Sequence, residues 1–250
     1  MKAETIAARA SERPPGSLAD RIAALDWSAL GSELFELGCA RVRGLLTADE
    51  CASLVDFYAR DELFRSTVVM GRHGFGRGEY RYFAYPLPAL VAVLRTGLYA
   101  GLAQIANGWS EALGSDRRYP PRIDEFLARC HASGQVRPTP LLLRYGAGDY
   151  NCLHQDLYGE HVFPLQATLL LSDAQRDFSG GEFVLVEQRP RMQSRAEVVA
   201  LERGDAVIFA VRDRPVRGKR GHHRVRLRHG VSRLRSGRRY TAGIIFHDAQ

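Results

Sequence analysis

Three residues of this sequence have the types and the spacing of a metal site. His154 and Asp156 stand two apart in Tyr150-Asn151-Cys152-Leu153-His154-Gln155-Asp156, and on a strand residues two apart project from the same face. His229 follows Asp156 by 73 residues, a gap that accommodates about four intervening strands. In Arg224-Val225-Arg226-Leu227-Arg228-His229-Gly230-Val231, alternation puts Val225, Leu227, His229 and Val231 on one face and Arg224, Arg226 and Arg228 on the other. Two imidazoles and one carboxylate on one side of a metal leave three positions open, the donor set of a non-haem iron(II) centre that activates oxygen.

Arg239 comes ten residues after His229, beyond the turn Ser236-Gly237. A co-substrate such as 2-oxoglutarate chelates iron through its C1 carboxylate and keto oxygen and leaves its far carboxylate needing a cation. A guanidinium can grip that carboxylate with two N–H groups. Strand period turns Arg239 inward and its neighbour Arg238 outward, and Arg238 is the alternative. Other histidines compete less well. His161 follows Gly159 in an expected loop, and the adjacent His222 and His223 would face opposite sides of a strand. Cys152 shares a face with His154 and is expected to be small and buried. These residues predict an enzyme, an Fe(II)/2-oxoglutarate-dependent dioxygenase, with molecular oxygen and 2-oxoglutarate as partners.

The elements that must position these residues differ between the two halves of the chain. Residues 16–135 read mainly as helices. Thr47–Phe64 opens on a capping box of Thr47 and Glu50, with Leu54, Val55, Phe57 and Tyr58 as its buried face. Pro86–Leu113 carries the stripe Leu90, Val91, Leu94, Leu98, Leu102 and Ile105, and Ile123–Cys130 makes a third helix. Gly71–Tyr85 reads as a glycine-rich loop leading into an aromatic strand. From 136 to 250 the texture becomes short apolar runs, at 141–145, 165–171, 182–186, 198–201, 206–211, 224–231 and 240–246, divided by glycine and aspartate turns. The expectation is an α+β fold: a double-stranded β-helix, or jelly roll, under an N-terminal helical layer, with residues 1–15 a flexible N-terminus.

Composition narrows the class further. Hydrophobic residues make up 45% of the 250, enough for a full core. No apolar run is expected to reach the roughly 18 residues of a membrane span, and the start, MKAETIAARASERPPGS, has no apolar signal core. Four scattered cysteines without a C-x-x-C pair suit free thiols in a cytoplasmic protein. The net charge is +7, and eleven arginines fall between Arg212 and Arg239. Such a stripe suits an anionic partner, with nucleic acid the first candidate, or else a solvated sheet face.

The segment R-Y-G-A-G-D-Y-N-C-L-H-Q-D, Arg144 to Asp156, resembles the matching segment of AlkB-type nucleic-acid demethylases. The resemblance implies that Tyr145, nine residues before the metal histidine, helps bind 2-oxoglutarate. The stretches S-G-G-E-F-V-L and R-H-G-V-S-R-L-R-S-G-R-R-Y-T-A-G-I-I-F-H-D-A are similar to a bacterial oxygenase family grouped with AlkB. That resemblance, strongest over residues 71–248, implies a double-stranded β-helix, iron and 2-oxoglutarate, and oxidation of damaged nucleic acid. Two features depart from AlkB: Leu143 stands where those enzymes have asparagine, and the ten-residue step from His229 to Arg239 is similar to prolyl-hydroxylase-like oxygenases.

Three readings of the substrate follow. The first is an alkylated nucleic-acid base, with Arg77, Tyr80 and Tyr82 of the basic and aromatic run 72–85, and Tyr158, as contacts. The second is hydroxylation of a protein side chain or small metabolite, and the third a metal-dependent or metal-free binding module that has lost turnover.

Overall fold

The computed structural model describes residues 16–250 apart from Gln175, Pro190 and Arg220. The expected flexible N-terminus and most of the stretch read for a signal lie outside the described residues. Among the described residues five α-helices occur in chain order: α1 (Leu18–Ala23), α2 (Trp27–Leu37), α3 (Ala48–Asp56), α4 (Ala89–Ala112) and α5 (Ile123–Ala132). The strands of the first half are β1 (Cys39–Val42), β2 (Phe64–Val69), β3 (Gly76–Arg77) and β4 (Glu79–Phe83). Those around the expected metal pair are β5 (Leu141–Gly146), β6 (Tyr150–His154), β7 (Leu165–Leu170), β8 (Phe178–Gly180) and β9 (Phe183–Gln188). The last five are β10 (Arg195–Val199), β11 (Ala206–Ala210), β12 (Asp213–Gly218), β13 (Gly221–Val231) and β14 (Leu234–Ile244).

The strands form two antiparallel sheets. The larger runs β1-β11-β7-β14-β5-β4-β2 with β8 on the edge of β14, and the smaller runs β10-β9-β13-β6-β3 with β12 beside β13. Non-consecutive neighbours such as β7-β14-β5 and β9-β13-β6 give the interleaved order of a double-stranded β-helix, with helices added. Alternation then divides each strand of the larger sheet. Leu141, Leu143 and Tyr145 of β5 line the space between the sheets, while Leu142 joins the core that holds Val91, Leu94, Leu98 and Leu102 of α4.

Helix α4 is the longest packing element and passes close to α1 and α2. A Cβ on Gly101 would fall 2.2 Å from the Trp27 ring, and one on Gly97 3.1 Å from Ile22, so these glycines let the helices touch. By length and composition α4 could cross a membrane, contrary to the expectation that no run is long enough. Half of its most apolar window is buried inside the protein, the pattern of a core helix.

Several boundaries move. The capping box of Thr47 and Glu50 is present, but the helix ends at Asp56 and two 3-10 turns carry the chain into β2. Residues 39–83 give four strands to the two sheets, so the first half is not purely helical. The strand expected at 198–201 lies at Arg195–Val199, and the last strand starts at Leu234 rather than Tyr240.

Candidate metal centre

Strand β13 alternates as its sequence predicts, with Val225, Leu227 and His229 buried and Arg224, Arg226 and Arg228 exposed. His229 pairs in register with His154 at the end of β6. That register brings together two histidines distant in sequence, with ring centroids 4.2 Å apart. Asp156 does not share the strand. It belongs to the segment after β6, which Gln135 pins by donating to the carbonyls of Tyr158 (2.9 Å) and His161 (3.2 Å) while accepting from the His161 N–H (2.7 Å). Gly159, at φ +107°, brings the backbone against the Gln135 side chain, where a Cβ would be 2.5 Å away.

One ligand atom from each of His154, Asp156 and His229 lies within 4.8 Å of the others. His154 Nε2 is 3.5 Å from Asp156 Oδ1, and His229 Nε2 is 3.3 Å from Oδ2. The carbonyl of Cys152 lies 2.8 Å from His154 Nδ1. A carbonyl can only accept, so Nδ1 carries the proton and Nε2 keeps its lone pair for a metal. Burial pushes the Asp156 carboxyl up, yet the hydrogen bonds and charge of the two histidines hold it well below the usual range. Burial, then the charge of His154, pushes His229 down. An anionic carboxylate facing two imidazole nitrogens fits a divalent transition metal.

These ligands open into a cavity of about 340 Å³ between the two sheets. Its walls include Tyr80, Tyr82, Tyr145, Tyr158, Phe183 and Thr241, and its rim includes Phe75 and Leu153, which are exposed by 48% and 42%. Tyr80 and Tyr82 meet edge to face at 5.3 Å, and the Arg65 guanidinium lies 4.4 Å over the Tyr82 ring. Of the sequence-predicted substrate contacts, Tyr80, Tyr82 and Tyr158 line this cavity. Arg77 does not: it is exposed beside Asp149 at 3.9 Å. Cys152, expected to be buried, is exposed at the cavity's edge, because β6 ends at the mouth.

Arg239 is 2% exposed, whereas Arg238 is exposed. The Arg239 guanidinium stands 5.7 Å from the Tyr145 ring and 5.8 Å from that of Phe178. Its Nε and Nη1, and the Tyr145 hydroxyl, are buried without hydrogen-bond partners, and burial pushes the guanidinium down to about 10. A buried cation with two unpaired donors costs free energy unless an anion completes it, so this pocket fits a carboxylate. Arg239 borders a second cavity with Leu170, Phe178, Gly181 and Leu201, and Phe183 lines both cavities.

The other candidates lie elsewhere. His161 meets Ser133, and His222 packs edge-on against Phe35. The arginine stripe is not one surface, since Arg214 is buried against Glu187 and Arg239 is internal. Gln166 carried no sequence signal, yet its amide donates to Asp156 Oδ2 at 2.8 Å. A glutamine within an apolar strand and beside no motif reads as an ordinary strand residue.

Residues 78–249 match the Oxygenase-NA family, described as an oxygenase catalysing oxidative methylation of damaged DNA. Two uncharacterised Mycobacterium tuberculosis proteins, from strains CDC 1551 and H37Rv, are each 50% identical over 182 residues, 72% of this chain and 78% of theirs. Among solved structures, a Burkholderia pseudomallei oxidoreductase of the 2OG-Fe(II) oxygenase family is similar at TM-score 0.55 and 16% identity, over 90% of this chain and 94% of that one. A Trichoplax adhaerens prolyl hydroxylase, solved with a hypoxia inducible factor peptide fragment, is similar at TM-score 0.53 and 13% identity, over 92% and 93%. At such identities these two structures speak to the fold alone.

Proposed function

This chain belongs to the Oxygenase-NA family, and we propose that it is an Fe(II)- and 2-oxoglutarate-dependent oxygenase that oxidises alkylated bases of nucleic acid at the His154–Asp156–His229 centre. His154, Asp156 and His229 hold the iron, and Arg239 with Tyr145 holds the far carboxylate of 2-oxoglutarate. When bound, the iron supplies the oxidising chemistry that couples decarboxylation of 2-oxoglutarate to hydroxylation of a C–H bond. On an N-methyl group, the hydroxylated product would release formaldehyde and leave the free amine. The protein's own part is to orient and to exclude water. Tyr80 and Tyr82 offer an aromatic wall on which an extruded base can stack, and Phe75 and Leu153 rim its entrance.

One observation carries the substrate reading: β13 presents His229 to the cavity and Arg224, Arg226 and Arg228 to solvent. Side chains two apart on a strand repeat at roughly 6.6 Å, so a row of guanidinium groups on the outer face of this sheet can engage successive phosphates. The ten-residue step from His229 to Arg239 supports the second reading, a protein side chain or small metabolite.

The test is succinate formation from 2-oxoglutarate with iron(II) and oxygen, with and without N-methylated single-stranded oligonucleotides. Stimulation by methylated but not unmethylated strands, with formaldehyde released and both lost in His154→Ala, is the expected result. Turnover that depends on His154 but ignores every oligonucleotide would contradict the substrate reading and favour the second.

A further inference from the structure

Tyr158 touches the cavity and the metal carboxylate together. Its hydroxyl donates to Asp156 Oδ1 at 2.7 Å, and the Tyr82 hydroxyl donates to Tyr158 at 3.1 Å. The direction of this chain is fixed, because an ionised carboxylate only accepts. The one proton of Tyr158 therefore goes to Asp156, and that of Tyr82 goes to Tyr158. On the other side, Gln166 Nε2 donates to Asp156 Oδ2 at 2.8 Å. Besides the facing histidine nitrogen, each carboxylate oxygen thus has one side-chain hydrogen bond, from Tyr158 on Oδ1 and from Gln166 on Oδ2.

Charge-assisted hydrogen bonds of this kind are short and directional. One on each oxygen, from opposite sides, holds the carboxylate plane against rotation. That matters here because Asp156 lies past the end of β6 and has no strand ladder to orient it, unlike His154 and His229. The tyrosines are themselves held. Tyr82 packs edge-on to Tyr158 at 6.4 Å with an interplanar angle of 90°, and carries Arg65 over its ring. The Tyr158 carbonyl accepts from the buried Gln135.

We propose that Tyr158 is a positioning residue for the iron carboxylate, fixing Asp156 through Oδ1 against Gln166 on Oδ2, and that Tyr82 ties this hold to the wall where substrate packs. This inference rests on reading His154, Asp156 and His229 as the iron ligands. It moves Tyr158 from the substrate contacts to the support of the metal.

The test uses the full chain and Mn(II) binding followed by electron paramagnetic resonance. The visible spectrum of the Co(II)-loaded protein serves as a second reading, of ligand geometry. Tyr158→Phe keeps the ring and removes the hydroxyl. It is expected to weaken Mn(II) binding about 10- to 100-fold and to shift the Co(II) bands, and Tyr82→Phe to do the same to a smaller degree. Gln166→Leu, which acts on the opposite oxygen and also removes a 3.3 Å contact with His229 Nε2, is expected to weaken binding as well, and Tyr82→Phe carries the test if Tyr158→Phe does not fold.

Wild-type Mn(II) affinity and an unshifted Co(II) spectrum in Tyr158→Phe would overturn the proposal, even if its melting temperature fell, because a merely structural hydroxyl would lower stability alone. His154→Ala separates the two levels. If it loses Mn(II) binding while Tyr158→Phe retains it in full, the positioning role fails and the metal site stands. If His154→Ala binds Mn(II) as wild type does, the metal site itself fails, and this proposal with it.

Discussion

Arg239 of β14 and Tyr145 of β5 are register partners, and the guanidinium carbon stands 5.7 Å from the tyrosine ring. Both side chains are buried, and both keep hydrogen-bonding atoms without partners, Nε and Nη1 on one and the hydroxyl on the other. Buried polar atoms are normally satisfied, so the unpaired donors of this pair suit an anion, as the proposed role in holding 2-oxoglutarate requires. Arg239→Ala is therefore expected to weaken 2-oxoglutarate binding about 10- to 100-fold, the worth of one or two charge-assisted hydrogen bonds. Arg239→Lys should recover little of it, because a single ammonium cannot reproduce the planar fork. Arg238→Ala, at an exposed position, should stay within about twofold of wild type; calorimetric titration with 2-oxoglutarate distinguishes the three.

The arginines of the basic stripe should differ in their effects on nucleic-acid binding. Replacing Arg224, Arg226 and Arg228 together by glutamine is expected to weaken binding of a single-stranded oligonucleotide. It should also reduce the slope of log K against log salt by about 2, at roughly 0.7 for each phosphate no longer neutralised. Arg214→Gln, by contrast, removes the buried one of the two arginines hydrogen-bonded to the buried Glu187, leaving Arg189, and should lower the melting temperature while leaving that slope unchanged. Fluorescence anisotropy at several salt concentrations, with a thermal melt of each variant, measures both.

Alternation along β13 is a local signal, strong enough by itself to orient His229 inward and three arginines outward. The fate of Arg214 is not local, because its partner Glu187 lies on another strand. Asp156 was legible by type and spacing, but a shared strand face is not what places it: Gln135 and Gly159 shape the segment that carries it. The strand at Phe64–Val69 was hidden because Phe57, Tyr58, Leu63 and Phe64 continue a helical apolar stripe as readily as they begin a strand. Gln166 supports Asp156 through a contact that only the folded sheet creates.

His247 should make stability depend on pH. It is fully buried, and its Nδ1 accepts from the Phe163 N–H at 3.3 Å, so the folded state holds it neutral. Burial pushes its pKa down from 6.5 to about 4. Between those values the unfolded chain binds the proton and the folded chain does not, so stability falls as pH drops through this window. The loss is on the order of 3 kcal/mol by pH 4. Chemical denaturation at pH 7, 6, 5 and 4 should show this decline in wild type and a flatter profile in His247→Gln; equal slopes in the two proteins would contradict the assignment.

His154, Asp156 and His229 are proposed to hold the iron to which 2-oxoglutarate binds. The most direct test is an anaerobic titration of the protein with iron(II) and 2-oxoglutarate, followed by the visible charge-transfer band of the chelated complex. The expected result is a band that saturates at one iron per chain and disappears in His154→Ala, Asp156→Ala and His229→Ala, each of which remains folded by circular dichroism. A band of wild-type intensity in any of the three folded variants would show that the iron is held elsewhere.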